Sequence, residues 1–299
     1  MTTVAVIVHT GKTLGGGPAE LRRALAAHGV TDPLWAEVPK SKKAPARVKK
    51  LVDRGADLVF VWGGDGMVQR CIDTLAGSDV SIAIVPAGTA NLLATNLGIP
   101  QDIEQAVDVG LRGDRRPIDV GRINGERFAV MAGTGLDAFM IRDADAGMKD
   151  KIGSLAYVIT SAKHLRERQM RTRIEVDGMR WYKGKASCVL FGNVGQILGG
   201  IRAFEDASPD DGRLEIGVVT AKGIVEWART MGRTAVGQTE RSPFVHSTSG
   251  RTIKVKLDRK TPYELDGGDR PAVRKLKVRI EPGAISICVP GAGSATPPG

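Results

Sequence analysis

A glycine-rich turn directly after a short apolar run constrains this 299-residue chain more than any other feature. Residues 57–62 are mostly apolar, with β-branched and aromatic side chains, and they lead into Gly63-Gly-Asp-Gly66. Apolar residues then return with the spacing of one helix face, at Val68, Cys71, Ile72 and Leu75. The pattern predicts a buried strand, a tight turn and an amphipathic helix, and in an open α/β sheet such a turn lies at the ligand-binding edge.

The composition of this turn favours phosphate chemistry. Glycines at positions 63, 64 and 66 let backbone N–H groups approach a phosphate closely, and the helix N-terminus adds a partial positive charge. An aspartate at position 65 suits a cation or a hydroxyl proton rather than the phosphate itself. A loop without chemistry is the alternative, because a short glycine motif alone is weakly specific.

The first part of the chain alternates strand and helix patterns. Strands are predicted at 4–8, 57–62 and 81–85, and helices are predicted from Pro18, at 44–54, after Gly66 and from Leu92. This alternation predicts a doubly wound, mostly parallel α/β domain over residues 1–118, to which a strand at about 284–290 returns.

Residues 119–283 are predicted to form a second, β-rich and sandwich-like domain. Strand patterns recur there at 173–176, 186–191, 214–220, 252–257 and 275–280, with helix patterns at 154–169 and 224–236. The segment 291–299 is rich in Gly, Ala, Ser and Pro and is predicted to be a disordered tail. Edge strands of the second domain would allow a homodimer.

The charge of the chain restricts its partners. A formal net charge of +10 favours anionic lipid surfaces or phosphorylated ligands. Only 4% of the residues are aromatic and no nucleic-acid reader motif occurs, so we expect no nucleic-acid partner. No stretch reaches the roughly 20 apolar residues that span a bilayer, and the three cysteines are far apart. We therefore expect a cytoplasmic protein that is peripheral to the membrane.

Three glycine turns follow predicted strands of the first domain and are expected to line one crevice. They comprise residues 11–17, 63–66 and 88–91, with hydroxyl groups at Thr10 and Thr89 beside them. Backbone amides and hydroxyls of this kind bind a nucleotide triphosphate. The chain contains no P-loop sequence and no G-x-G-x-x-G fingerprint after the first strand, which disfavours P-loop and ordinary dinucleotide-binding folds.

Five motifs, in order along nearly the whole chain, resemble those of the diacylglycerol kinase catalytic-domain family of bacterial lipid kinases, related to sphingosine kinases and more distantly to NAD kinases. They are Gly63-Gly-Asp-Gly66, Pro86-Ala-Gly-Thr-Ala-Asn91, Gly133-x-Gly-x-Asp-Ala138, Asp210-Asp-Gly-Arg-Leu214 and Leu265-Asp-Gly267. The second motif is typical of the lipid-kinase branch. The resemblance implies an NAD kinase/diacylglycerol kinase-like fold and an ATP- and Mg²⁺-dependent kinase that converts diacylglycerol to phosphatidic acid.

The resemblance also implies site residues. ATP would be bound by Gly63, Gly64, Gly66, Gly88, Thr89 and Asn91, and the first glycine turn adds Thr10 and Gly11 to this set. Asp65 would organise Mg²⁺ and the reacting hydroxyl, and Asp119 would join it through water. Asp210 and Asp211, with the Arg213 carbonyl, would hold a second Mg²⁺, although turn formation alone also explains such a pair.

Three positions depart from the family pattern. Met67 stands where threonine is usual, Leu92 where many members have aspartate, and Gly268 where the family has the glutamate proposed as general base. Asp266 and Asp269 are the remaining candidates for that base. Two alternatives therefore stay open: a kinase of another lipid hydroxyl (sphingosine, ceramide or monoacylglycerol), and a catalytically weak relative that binds lipid or nucleotide.

Overall fold

The computed structural model describes residues 2–135, 169–196, 202–222, 226, 229–230, 232–233 and 242–291. Asp137 and the segment 292–299 of the predicted tail lie outside these residues, as do almost all of the predicted helix 154–169 and most of 224–236. The chain divides into two compact units, one formed by residues 1–119 and 282–299 and the other by residues 120–281. Among the described residues, no helix combines the length and the apolar character needed to cross a membrane.

The first unit is a parallel sheet with helices between its strands. Its elements are β1 (Val4–His9), α1 (Gly17–Ala27), β2 (Leu34–Val38), a 3-10 turn (Ser41–Lys43), α2 (Ala44–Val52), β3 (Leu58–Gly63), α3 (Asp65–Leu75), β4 (Ser81–Pro86), α4 (Leu92–Asn96) and α5 (Ile103–Arg112). The sheet order is β2-β1-β3-β4, and the strand β14 (Gly268–Val289) adds to β4 in parallel through Ser286 and Ile287. Strand β2 and helix α5 were not predicted from the sequence.

The middle strand of this sheet is buried along its whole length. Every residue of β3 is buried, including Phe60 and Trp62, because helices cover a parallel sheet on both faces. The unpredicted helix α5 begins at Asp102, whose carboxylate accepts the N–H of Gln105 at 2.9 Å as an N-cap. It buries Ile103 and Val107 against the sheet core.

The second unit is built almost entirely from antiparallel strands. They are β5 (Asp114–Ile123), which begins in the first unit, β6 (Glu126–Phe128), β7 (Met131–Gly135), β8 (Met170–Val176), β9 (Met179–Ala186), β10 (Cys188–Gly192), β11 (Leu214–Val219), β12 (Val245–Gly250), β13 (Thr252–Leu265) and most of β14. The order is β12-β11-β10-β7-β13-β14, and β8 joins β13 to β9. The predicted fold class, an α/β domain plus a β-rich domain, is confirmed.

Three hairpins of this unit turn through two residues each, at Asn124-Gly125, Asp177-Gly178 and Asp266-Gly267. The first residue of each pair is left-handed, with φ of 48°, 50° and 43°. This matches the type I′ turn, which favours Asn-Gly and Asp-Gly because both central residues need positive φ. The side chain of that first residue then accepts backbone N–H groups of other segments, as Asp177 does from Arg251 and Thr252.

Candidate active site

The two glycine motifs of the first unit meet backbone to backbone. Gly63 ends β3 opposite Pro86 of β4, so the turns that follow the two strands are neighbours. A Cβ on Gly88 would lie 2.4 Å from the Cα of Gly64, and a Cβ on Gly64 would lie 3.0 Å from the Cα of Gly88. Side chains at either position would force the turns apart, so the glycines make a single site out of two separate motifs.

Asn91 holds the second of these turns in shape. The residue is left-handed (φ 48°) and only 4% exposed. Its Oδ1 accepts the N–H of Gly88 at 2.9 Å, and its Nδ2 donates to the carbonyls of Gly88 at 2.9 Å and Pro86 at 3.2 Å. Both amide hydrogens of Asn91 are thus directed at the turn itself, which gives this predicted nucleotide-binding residue a positioning role.

Asp65 lies at the first position of α3, beside both turns. Its Oδ1 accepts the N–H of Leu93 at 3.2 Å, which ties α3 to α4. Burial raises the pKa of the Asp65 carboxyl above its ordinary value, although hydrogen bonds from the backbone at Leu92 and Leu93 oppose this. A cation at this carboxylate would favour the charged form, so the site fits a hard divalent ion such as Mg²⁺.

The N-terminus of α3 is suited to bind phosphate oxygens. The first N–H groups of a helix have no partner within it, and Gly66 in this first turn is exposed with no atom within 4 Å of a Cβ placed on it. Met67, by contrast, is 2% exposed, and a Cβ on Gly63 would lie 2.6 Å from the Met67 Cβ. The residue that replaces the usual threonine therefore packs into the core.

The third predicted turn lies at the end of β1, the neighbour of β3 in the sheet. Thr10 is exposed, and the N–H of Gly11 donates to Nδ1 of His9 at 3.1 Å. The indole of Trp62 donates to the carbonyl of Lys12 at 3.1 Å and so fixes this turn to the strand that precedes Gly63. The three glycine turns thus follow three adjacent parallel strands.

Asp119 lies in β5, where the first stretch of the first unit ends, and contacts the last strand, β14. The residue is 3% exposed, and its Oδ1 accepts the N–H of Gly283 at 2.8 Å. Among the described residues, no group of three or more His, Cys, Asp or Glu side chains is arranged to hold a metal ion. An ion at Asp65 would therefore complete its coordination with water and phosphate oxygens, as Mg²⁺ commonly does.

The acidic pair of the second unit builds an exposed turn. The hydroxyl of Ser208 donates to Asp210 at 2.6 Å, and the N–H of Arg213 donates to Asp211 at 2.8 Å. Both aspartates are exposed. These contacts are the local hydrogen bonds by which aspartate stabilises turns.

The fifth motif, Leu265-Asp-Gly267 (the late motif), forms the turn between β13 and β14. The Asp266 carboxylate, 8% exposed, accepts the N–H groups of residues 129–131 at 2.7, 3.0 and 2.9 Å. Glu264, which sequence reasoning missed, is 3% exposed and accepts the N–H of Gly267 at 3.0 Å. The Asp-Gly pair after an alternating strand was the available signal for this hairpin. Asp269 lies opposite Glu264 on β14 and is exposed.

Comparison with known proteins agrees with this arrangement. The family model of the diacylglycerol kinase catalytic domain matches residues 4–123, and that of the YegS C-terminal NAD kinase beta sandwich-like domain matches residues 130–289. The chain belongs to this family of lipid kinases. The two matched segments contain the nucleotide motifs and the late motif, respectively.

Individual relatives of this lipid kinase cover most of its length. A diacylglycerol kinase of Bacillus subtilis is 29% identical over 73% of each chain. A probable lipid kinase YegS-like of Pseudomonas aeruginosa is 28% identical over 97% of this chain and 95% of its own. The crystal structure of a diacylglycerol kinase from Bacillus anthracis is 25% identical, with a TM-score of 0.78 over 97% of this chain and 98% of that chain.

Proposed function

We propose that this lipid kinase transfers the γ-phosphate of ATP to the hydroxyl of diacylglycerol and so produces phosphatidic acid. The observation that carries the proposal is the contact between Gly64 and Gly88, which joins both nucleotide motifs beside Asp65. The name of the Bacillus subtilis relative supports diacylglycerol as substrate. The resemblance of the Pro86–Asn91 motif to the lipid-kinase branch supports the same class.

The first unit supplies the nucleotide site in this proposal. The first N–H groups of α3 are directed to the phosphates, and the turn at Gly88–Thr89 and the residues Thr10 and Gly11 after β1 border them, because the N–H groups of Gly88 and Gly11 are already donated to Asn91 and His9. Asp65 would hold Mg²⁺, and the ion would supply positive charge for the transferring phosphoryl group. Asp119 would be the second carboxylate of this site. We assign Asp210 and Asp211 to their turn rather than to a second Mg²⁺, since each accepts a local hydrogen bond.

The contacts of the late motif argue against a general base there. A carboxylate that accepts three N–H groups, like Asp266, is stabilised as the anion and is a weak proton acceptor. Gly268 and Asp269 are consecutive in β14, so their side chains point to opposite faces, and Asp269 does not replace a carboxylate at 268. We therefore assign no general base to the late motif, and we assign to Asp65 the positioning of Mg²⁺ and the reacting hydroxyl, because phosphoryl transfer depends mainly on positioning and charge.

A labelled-ATP assay on a lipid panel tests the substrate. The purified chain, labelled ATP and diacylglycerol, monoacylglycerol, sphingosine or ceramide are combined with and without Mg²⁺, and products are separated by thin-layer chromatography. We expect labelled phosphatidic acid only with diacylglycerol and Mg²⁺. Asp65→Asn should nearly abolish it, whereas Asp79→Asn, an exposed aspartate of the same unit, should not. If only another lipid were labelled, that lipid and not diacylglycerol would be the substrate. A fully active Asp65→Asn variant would show that the assignment of the active site to Asp65 is wrong.

Two further variants test for a general base in the late motif. If this motif supplies none, Asp269→Asn and Gly268→Glu should each leave turnover within about twofold of the natural chain, whereas loss of a general base costs about 10²–10⁴. A Cβ at position 268 would come closer than 3 Å to one atom alone, Nη1 at the far end of the Arg270 side chain, at 2.8 Å. A large loss of turnover in Asp269→Asn, or a large gain of turnover in Gly268→Glu, would show that the late motif does supply the general base.

A further inference from the structure

The outer face of one sheet in the second unit carries a row of four directly opposed cations. Lys183 of β9 lies opposite Arg173 of β8. Arg173 lies opposite Lys256 of β13, and Lys256 lies opposite Lys275 of β14. All four are exposed, and within the described part of the chain none of them forms an ion pair. Since neighbouring strands are about 4.8 Å apart, this row (the cationic row) spans about 15 Å.

The rest of this face extends the same charge. Directly opposed or alternate residues of an antiparallel sheet share a face, and the exposed cations that share it with the row are Arg171, Arg180, Lys185, Lys254, Lys277 and Arg279. The acidic side chains on these strands that share it are Glu175, Asp258 and Glu281, of which Glu281 pairs with Arg279. The reverse face of the same strands is the apolar core, with Ile174, Val255 and Leu276 buried.

Such a row works against folding. Like charges directly opposite one another destabilise a sheet, and here they cross four strands without carboxylates between them. An array of cations on one face is complementary to an array of anions, which would relieve the repulsion on contact. The arrangement is therefore better suited to an extended anionic surface than to a single small anion.

We propose that this cationic face docks on an anionic phospholipid bilayer. The inference rests on the proposed function, in which the substrate is a membrane lipid, and this is the reason for choosing a bilayer over another polyanion. The aromatic side chains of β9 support the same choice, because Trp181 and Tyr182 pack partly against the core and are not free to stack on the bases of a nucleic acid. The face thus supplies charge without base-stacking groups.

Vesicle binding by matched variants tests the docking face. The full chain, Lys256→Gln/Lys275→Gln and the control Lys49→Gln/Lys50→Gln are sedimented with phosphatidylcholine vesicles that contain about one third phosphatidylglycerol as the anionic lipid. The control removes the same charge from exposed lysines of α2. Two cations near an anionic membrane together contribute about a 30-fold gain in binding. We expect the row variant to lose about 10- to 30-fold in vesicle affinity and the control to lose less than threefold.

Several readouts separate membrane docking from a loss of folding and from nucleic-acid binding. The row variant should melt no lower than the natural chain, and an Arg173→Gln/Lys183→Gln variant should repeat the loss of binding. Equal losses in row and control variants, or unchanged binding in both row variants, would overturn the proposal. So would tighter binding of duplex DNA than of vesicles at the same salt. Turnover in neutral detergent micelles should be unchanged in the row variants. If the natural chain were inactive in these micelles, the proposed kinase activity would be overturned, whereas the vesicle comparison would still test docking.

Discussion

The contact between the two nucleotide turns predicts a severe effect for Gly88→Ala. The new methyl carbon would lie 2.4 Å from the Cα of Gly64 and 2.6 Å from Oδ1 of Asn91. Carbon atoms in contact are about 3.8 Å apart, so the first overlap is about 1.4 Å and involves backbone that no rotamer change can move. Either the two turns separate or β3 and β4 shift.

The cost follows from these contacts. Overpacking of this kind costs about 1–3 kcal/mol, and separation of the turns also weakens the two hydrogen bonds between Asn91 and Gly88, each contributing about 1 kcal/mol. We expect a loss of about 3 kcal/mol in the free energy of unfolding. For a domain of this size, that corresponds to a fall of about 6–12 °C in Tm. Kinase turnover should fall with it, because the turns would no longer meet beside Asp65.

Gly66→Ala is the matched control for stability. It changes a glycine of the same site to the same residue, but no atom lies within 4 Å of its Cβ, and the position is helical. Alanine is favoured over glycine in a helix by up to about 1 kcal/mol, so this variant should be as stable as the natural chain or slightly more stable. Urea unfolding of all three proteins measures the difference. Equal unfolding midpoints for Gly88→Ala and the natural chain would refute the reasoning from backbone contact.

Two carboxylates predict opposite dependences of stability on pH. Burial raises the pKa of Asp65 above its ordinary value of 3.8, so stability falls as pH rises from 3.8 through the raised pKa. Asp65→Asn should therefore be more stable than the natural chain at pH 7, by a margin that shrinks towards pH 3.8. A variant less stable than the natural chain at pH 7 would contradict this. Although partial burial raises it, hydrogen bonds from Arg127, Arg279 and Arg122 lower the pKa of Glu281 from 4.5 to about 2. Its contribution is therefore present above pH 4.5 and lost towards pH 2, so Glu281→Gln should cost about 2 kcal/mol at pH 7 and little at pH 2, as chemical denaturation at the two pH values would measure.

The strands and helices that a sequence pattern predicts best are those with a strong apolar period. The buried β3 and the helix α3 with its apolar face were predicted closely, because the pattern of their apolar residues indicates which positions are buried. Strand β2 was missed because it is only partly buried and short. Helix α5 was missed although Asp102 supplies a cap and apolar residues recur behind it, so here the available signal was overlooked.

The candidate site, too, could be predicted from the sequence only in part. The residue types at the glycine turns indicated a phosphate site, but the partner of each turn could not be read from the chain, because Gly64 and Gly88 meet only through the order of strands in the sheet. The same holds for Asp266. Its three partners lie 135–137 residues earlier in the chain, and no local pattern links them.

The contacts also separate the residues that build the site from the residue that carries its chemistry. Gly64, Gly88, Asn91 and Asp266 act on backbone, so a chain that keeps them keeps the turns whether or not it is active. The departures at Met67 and Gly268 do not disturb these contacts, since Met67 packs into the core and Gly268 continues a strand. In the proposed function turnover depends on the carboxylate of Asp65, which is buried at a cost that a bound cation would offset.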